Sequence, residues 1–428
     1  MKSIYILTLS VLLSFIGKSQ TYFPPLTGTT WETTDPSALG WCQDSINVMY
    51  DWLEQTDSKA FIVLKNGKIV LEKYFGTFTA DSFYVWNSAG KTLTAYAVGI
   101  AQKEGFLDIN DPTSDYLGSG WTSLTTAQEN AITIRNQLTM TTGLDDGVSD
   151  IYCTDPGCLT YLAAPGTRWA YHNGPYTLLD SVIESATGMN LNLWVNSKIA
   201  SKIGMTGLYV QSGYNNVFVS KPRSMARFGL LLSQNGFWNT TEVLDDITYL
   251  NAMRTPSQTL NNSYGYLTWL NGQSSFMIPQ TQFVFPGSLC PNAPADMYAA
   301  EGKNGQIINV VPSDDIVLVR MGSTMGNSLV GTQYNDTIWQ YMNRLTCSLS
   351  VNESFQLKVS IYPNPSSSLF QFEGVNPEDN VRIINCLGAS IFEGKGISAF
   401  QANHLEKGVY LVEINKNNHF QTLRIVVE

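Results

Sequence analysis

A change of texture divides this chain. From about residue 24 to about residue 348, long helical patterns mix with short strand-like runs; from about 355 to 428 only strand alternation and turns occur. A helix buries a stripe that recurs every 3.6 residues and a strand buries a face that recurs every two. The two regions must therefore bury their apolar residues in different ways. The polar stretch Ser348–Ser354 between them suits a linker. At 428 residues the chain is also too long for one ordinary core.

Within the first region, helices are expected around Ser45–Leu53, over Ser88–Glu104, over Tyr176–Thr187 and over Pro222–Ser233. Glycines follow the second and third, at Gly105 and Gly188, where a left-handed residue ends a helix. Asn66-Gly67 between Ala60–Leu64 and Ile69–Phe75 is a hairpin signal. A second hairpin is expected where Pro312-Ser313-Asp314-Asp315 separates Gln306–Val311 from Ile316–Met321. Hairpins at both ends with helices between them predict an α+β plan, an antiparallel sheet with helical layers. In the second region Leu357, Val359 and Ile361 alternate, and strands follow at Leu369–Phe372, Val381–Ile384, Val409–Ile414 and Thr422–Val427. This pattern predicts a small all-β sandwich.

Residues 1–19 read as a secretory signal peptide. Lys2 supplies the charged start, Ile4–Ile16 the apolar stretch, and Gly17-Lys18-Ser19 the small residues before cleavage at Gln20. The apolar stretch is short for a membrane span, so no transmembrane segment is expected. Export permits disulfides. Of the six Cys, Cys153 and Cys158 enclose a turn-rich loop and are expected to pair. Cys42 with Cys347 is the other pairing considered, since it would tie the start of the large region to its end.

Composition narrows the chemistry. Hydrophobic residues at 43% exclude wholesale disorder, and a net charge of −10 without any basic run argues against nucleic-acid partners. Only His172 falls in the large region, and no G-x-S-x-G elbow or H-E-x-x-H helix occurs. A His-activated serine and a zinc hydrolase both lack their parts. No metal or organic cofactor is implied.

What remains is a nucleophile activated by something other than histidine. Ser88-Ala89-Gly90-Lys91 places Ser88 and Lys91 on one helical face, where a neutral amine can take the hydroxyl proton. Taken alone this pair reads equally as a helix cap beside a solvated lysine. Tyr171-His172-Asn173 adds a phenol, which neighbouring ammonium groups would favour as a phenolate base, and an amide able to bind Lys91 and a substrate carbonyl. Lys303-Asn304-Gly305 adds a cation able to attract a substrate carboxylate and a glycine that permits close approach. The Gln306 N–H after it is expected to complete an oxyanion hole with the Ser88 N–H. Trp86 has the best claim among the aromatic residues to lie near the site. Tyr84, Trp169, Tyr176, Tyr264, Tyr266 and Trp269 are expected as core or wall, and His172 as a loop residue facing away.

These elements, in this order, resemble the penicillin-recognising serine hydrolases. The Tyr-x-Asn form is similar to the class C β-lactamase branch, with its D,D-peptidases, family VIII esterases and 6-aminohexanoate-dimer hydrolases. Gly105-Phe106-Leu107-Asp108, Met140-Thr141-Thr142-Gly143-Leu144 and Ser224–Gly229 agree. The resemblance implies a β-lactamase/transpeptidase-like fold over 20–350, with Ser88 as acylated nucleophile and Lys91 and Tyr171 as the base pair. Asn173, Lys303, Gly305 and Gln306 would bind substrate. Asn304 stands where the lactamases carry a small hydroxyl residue, which argues against efficient lactam hydrolysis. Residues 355–428, with Tyr362-Pro363-Asn364-Pro365, Gly388 and Leu405–Tyr410, resemble the type A sorting domain of the type IX secretion system. That implies the secretion machinery as a partner and a cell-surface or secreted destination after periplasmic transit. The expected function is a secreted serine hydrolase acting on a small-molecule ester, amide or peptide. The alternative is a non-catalytic penicillin-fold module for binding or adhesion.

Overall fold

The computed structural model describes residues 20–323, 331–347, 359–416 and 419–428. The expected signal peptide lies outside these residues, as does the expected linker. The chain divides into two compact units at Cys347/Ser348.

The large unit opens with helix α1, Gln43–Gln55, and a hairpin of β1, Ser58–Lys65, and β2, Lys68–Tyr74. The turn residues Asn66 and Gly67 both have positive φ, at 50° and 78°, which matches the right-handed twist of the flanking strands. Helix α2, Gly90–Lys103, is buried on every side from Gly90 to Ala101, so it runs through the core rather than over it. Helices α3, Asn173–Thr187, and α4, Pro222–Ser233, follow. Pro222 opens α4 at a position where no N–H is needed. Strands β3, Trp269–Leu270, β4, Tyr298–Gly302, β5, Gln306–Val311, and β6, Ile316–Gly322, lead to helix α5, Thr332–Met342.

The sheet order is β2-β1-β6-β5-β4-β3, and every neighbouring pair is antiparallel. Strands from both ends of the unit thus meet at the β1–β6 pair, where Val63 faces Leu318. The sequence-based α+β reading agrees with this architecture. Helix α3 starts three residues earlier than expected, at Asn173, because His172 is already extended and serves as its N-cap. Cys42 pairs with Cys347 and Cys153 with Cys158. Around the first bridge, the Cys42 N–H donates to Leu345 O and the Cys347 N–H to Gly40 O, each at 2.7 Å. Cys290 is buried and free.

The second unit is all β. Strands β7, Ser360–Tyr362, β8, Leu369–Glu373, and β11, Ala399–Gln401, form one sheet in the order β7-β8-β11. Strands β9, Asn380–Ile384, β10, Ser390–Lys395, β12, Gly408–Lys416, and β13, His419–Val427, form the other in the order β10-β9-β12-β13. Phe370, Ile383, Val412 and Ile425 are buried in its core. Their alternation with exposed residues along each strand is the period-two signal of a half-buried sheet.

Helix α4 crosses the large sheet at Gly229. A Cβ there would lie 2.5 Å from Val317 Cγ1 and 2.9 Å from Ile308 Cγ2. Gly229→Ala should gain up to ~1 kcal/mol in helix propensity and lose about 1–3 kcal/mol to overpacking. The expected net result is a lower urea midpoint at unchanged m-value; a raised midpoint would show that the sheet yields easily there.

Candidate active site

Ser88 is half-buried in a single 3-10 turn, Asn87–Ala89, immediately ahead of α2. The expected helix start at Ser88 is therefore two residues early. Asn87 holds φ at 47°, a left-handed conformation that asparagine tolerates better than most residues. Trp86 anchors the turn from within. It is fully buried, its backbone N–H donates to Phe218 O at 2.8 Å, and its Nε1 donates to Ser220 Oγ at 2.7 Å. Trp86 is thus near the site as a core anchor, not as part of an open wall.

The turn is joined to the substrate-side strand by two contacts that the sequence did not announce. Asn87 Nδ2 donates to Lys303 O at 2.8 Å. A Cβ on Gly302 would lie 2.5 Å from Trp86 O and 3.0 Å from Ser88 N, so only glycine lets β4 lie this close to Ser88. Glycine 302 stood in the sequence as one more residue before Lys303. Only the folded chain shows that it lies against the Trp86–Ala89 backbone.

Lys91 lies on α2 and is buried. Its Nζ sits 3.8 Å from the ring centroid of Tyr176 and 5.4 Å from that of Tyr171. Burial lowers the Lys91 amine to about 7, against a smaller opposing pull from the Asp180 carboxylate. Asp180 is two helical turns along α3 from Asn173. It is buried, its Oδ1 has no hydrogen-bond partner among the described residues, and burial raises its carboxyl. A lysine in this state is part amine and part ammonium at neutral pH, as a general base requires.

Tyr171 is buried and stacks on Trp269 at 5.9 Å, with Trp169 and Tyr264 edge-on around it. Burial raises its phenol well above the ordinary value, the Ser88 hydroxyl lowers it, and the charges of Tyr152 and Glu301 raise it further. This runs opposite to the phenolate expected from the sequence. The physical reason is burial, which disfavours the charged phenolate, so the phenol holds its proton in the resting site. Asn173 is buried as the first residue of α3, on the same element as Tyr171.

On the other side of Ser88, Lys303 is exposed and begins a tight turn, with Asn304 at φ 66° and Gly305 at φ 70°. The buried Arg320 guanidinium holds that turn by donating to Asn304 O at 2.6 Å and Gly305 O at 3.1 Å. Gln306, expected for its backbone N–H, commits its side chain elsewhere. It is fully buried opposite Gly302, its Nε2 donates to Gly322 O, and its Oε1 accepts from the Gly322 N–H at 3.2 Å. Its side chain fastens β5 to β6, and the backbone beside Ser88 N is that of Gly302.

His172 is a loop residue, as expected, but a buried one. It is 1% exposed, both ring nitrogens lack partners among the described residues, and burial lowers it to about 4. The loop before it is fixed to the site. The Cys153–Cys158 bridge lies in it, the Gly174 N–H donates to Ile151 O at 2.9 Å, and a Cβ on Gly174 would lie 2.4 Å from Cys153 O.

Comparison with known proteins agrees with this geometry. Residues 53–341 match the family model described as Beta-lactamase, and residues 360–428 match the Secretion system C-terminal sorting domain. A protein of Bacillus subtilis (strain 168), provisionally described as penicillin-binding protein PbpX, is 27% identical over 177 residues, 38% of this chain. The match spans 42% of that relative's own length. Among solved structures, a protein from Bacillus anthracis provisionally titled a 6-aminohexanoate-dimer hydrolase is 19% identical with TM-score 0.53, covering 69% of this chain and 81% of its own. A family VIII carboxylesterase is 14% identical with TM-score 0.55, covering 74% and 99%. These likenesses show the fold.

A lysine whose folded value lies below its unfolded value binds fewer protons when folded, so stability rises with pH from about 7 toward the ordinary lysine value. Lys91→Met removes the buried amine. It should be more stable than the wild type at pH 7, and that advantage should shrink by about 2 kcal/mol by pH 9. Urea midpoints of both proteins at the two pH values check this; a constant difference would mean that Lys91 keeps an ordinary ammonium.

Proposed function

The chain belongs to the Beta-lactamase family and ends in a secretion-system sorting domain, and from that premise we propose that it is an exported serine hydrolase that cleaves an ester or amide through an acyl-enzyme on Ser88. The observation that carries this reading is the buried Lys91 amine, held near neutrality one helical turn from a half-buried serine.

In the proposed reaction, Lys91 Nζ takes the Ser88 proton as Oγ attacks the substrate carbonyl carbon. The developing oxyanion lies between the Ser88 N–H and the Gln306 N–H, the latter opposite Gly302 on the neighbouring strand. As the bond to the leaving group breaks, the Tyr171 hydroxyl gives that group its proton and is refilled from the Lys91 ammonium. Water then enters, loses a proton back to the Tyr171–Lys91 pair and attacks the acyl carbon; as the bond from that carbon to Ser88 Oγ breaks, the pair returns the proton to Oγ, restoring the hydroxyl and the neutral amine. Tyr171 serves here as a protonated relay, which suits a buried phenol better than a standing phenolate. The sorting domain is proposed to engage the type IX secretion machinery and deliver the enzyme to the cell surface or beyond.

Intact mass after exposure to a fluorophosphonate probe tests the nucleophile. One adduct is expected on the wild type and none on Ser88→Ala; adducts on both, or on neither, would overturn the assignment. The pH profile tests the base. The neutral amine is the active form, so kcat/KM should rise with pH through about 7 and then level, and Lys91→Met should lower it by about 10²–10⁴-fold. A profile flat across pH 6–8 in the wild type would remove Lys91 from the base role.

A further inference from the structure

The turn that carries Ser88 and the strand end that lies against it are joined by few contacts. Gly302 brings the two backbones together, since a Cβ there would meet Trp86 O, Ala89 N and Ser88 N at 2.5, 2.9 and 3.0 Å. Packing of this kind fixes how near β4 lies but not where along the turn it stops, because such contact has no direction. Among the described residues, one hydrogen bond joins Asn87–Ala89 to Tyr298–Gln306, from Asn87 Nδ2 to Lys303 O at 2.8 Å. A hydrogen bond weakens steeply off line, so this contact sets the register of the two segments.

The backbone alone does not explain an asparagine at this position. Asn87 is left-handed, with φ at 47°, and so are Asn66, Asn235, Asn239 and Asn304. At those four positions the side chain has no hydrogen bond among the described residues, so asparagine there only tolerates the backbone. Asn87 adds a directed bond. Glycine would hold the same φ more easily but has no amide to give. A left-handed residue whose side chain is committed next to a reacting group points to a function. The far side of the strand end is held separately, by Arg320 donating to Asn304 O at 2.6 Å and to Gly305 O at 3.1 Å. All three carbonyls of the Lys303–Gly305 turn thus accept from side chains distant in sequence, and Asn87 is the one that reaches from the nucleophile's side.

We infer that Asn87 is a positioning residue, whose amide sets the end of β4, with Lys303 and the Gly302–Gln306 pair, at the place relative to Ser88 that acylation requires. The inference rests on Ser88 being the nucleophile. Asn87 touches no reacting atom in this scheme and acts through the strand end. Without the amide the turn stays folded, because Arg320 still holds it, but it is free to shift against Ser88. A misplacement of about 1 Å can slow a reaction by about 10²-fold. The loss falls on kcat, since substrate contacts are kept while the geometry of the transition state is not.

The test uses the full-length protein, p-nitrophenyl butyrate as the ester, and the rate of fluorophosphonate labelling as a second readout. Asn87→Gly keeps the left-handed backbone and removes the amide. It is expected to lower kcat by about 10–100-fold and the labelling rate by a similar factor, with KM within about twofold of the wild type. Its urea midpoint should stay close to that of the wild type. Asn87→Asp tolerates the same φ but as a carboxylate offers Lys303 O no donor, so it should lose at least as much, and it carries the test if Asn87→Gly does not fold. Wild-type kcat and labelling rate in Asn87→Gly, or a loss confined to KM, would overturn the positioning role and leave Ser88 as the nucleophile. A fall in kcat no larger than the loss of folded protein would also overturn it. Absence of any Ser88-dependent hydrolysis, together with absence of the adduct on the wild type, would overturn both readings.

Discussion

A guanidinium with no acidic hydrogen-bond partner among the described residues ties the first strand of the large unit to the turn after Lys303. Arg320 is fully buried on β6, and its donors are satisfied by four backbone carbonyls and one hydroxyl: Asn304 O, Gly305 O, Thr56 O, Ser323 O and Ser58 Oγ. Its plane also lies 4.5 Å over the ring of Tyr334. A buried cation is tolerated when every donor is used, and removing one partner leaves an uncompensated charge. The consequence is geometric. Thr56 caps the end of α1 and Ser58 begins β1, whereas Asn304 and Gly305 make the turn that follows Lys303. One side chain therefore sets the first strand and the substrate-side turn to each other, and Asn87 carries that setting on to Ser88 through Lys303 O.

The site is built at the expense of stability. Lys91 and Asp180 are both buried with their charges incompletely matched, and Glu301, next to Gly302, is buried with one carboxyl oxygen unpartnered among the described residues. Burial raises the Glu301 carboxyl to about 7. Buried groups poised near neutrality are costly to keep, and they concentrate where proton transfer is needed. The surrounding apolar core, in which α2 is enclosed on all sides, offsets that cost.

Much of this was legible in the chain, for identifiable reasons. The Ser88–Lys91 spacing, the Tyr171–Asn173 element and both hairpins are local patterns, and local patterns survive in sequence. The Cys42–Cys347 pairing followed from the same two-ended view of the sheet that places β1 beside β6. What stayed hidden depends on distance. Gly302 matters because β4 returns against the nucleophile turn. Asn87 matters because its left-handed backbone aims an amide at Lys303. The Tyr171 phenol was expected to ionise easily because the charge of Lys91 was counted and its burial was not. Gln306 was read for its backbone N–H; that its side chain is spent on Gly322 depends on a strand far away in sequence.

The Cys42–Cys347 bridge makes most of the large unit a covalent ring, its two ends 305 positions apart in sequence. A single nick by a protease anywhere inside that ring opens a loop and still leaves both pieces tethered. Only the segment before Cys42 and everything beyond Cys347 can be shed by one cut. The sorting unit begins at Ser348, immediately outside the ring. Trimming it away is therefore the one large loss of mass that a single cleavage can inflict, and it leaves every member of the candidate catalytic set on one unbroken chain.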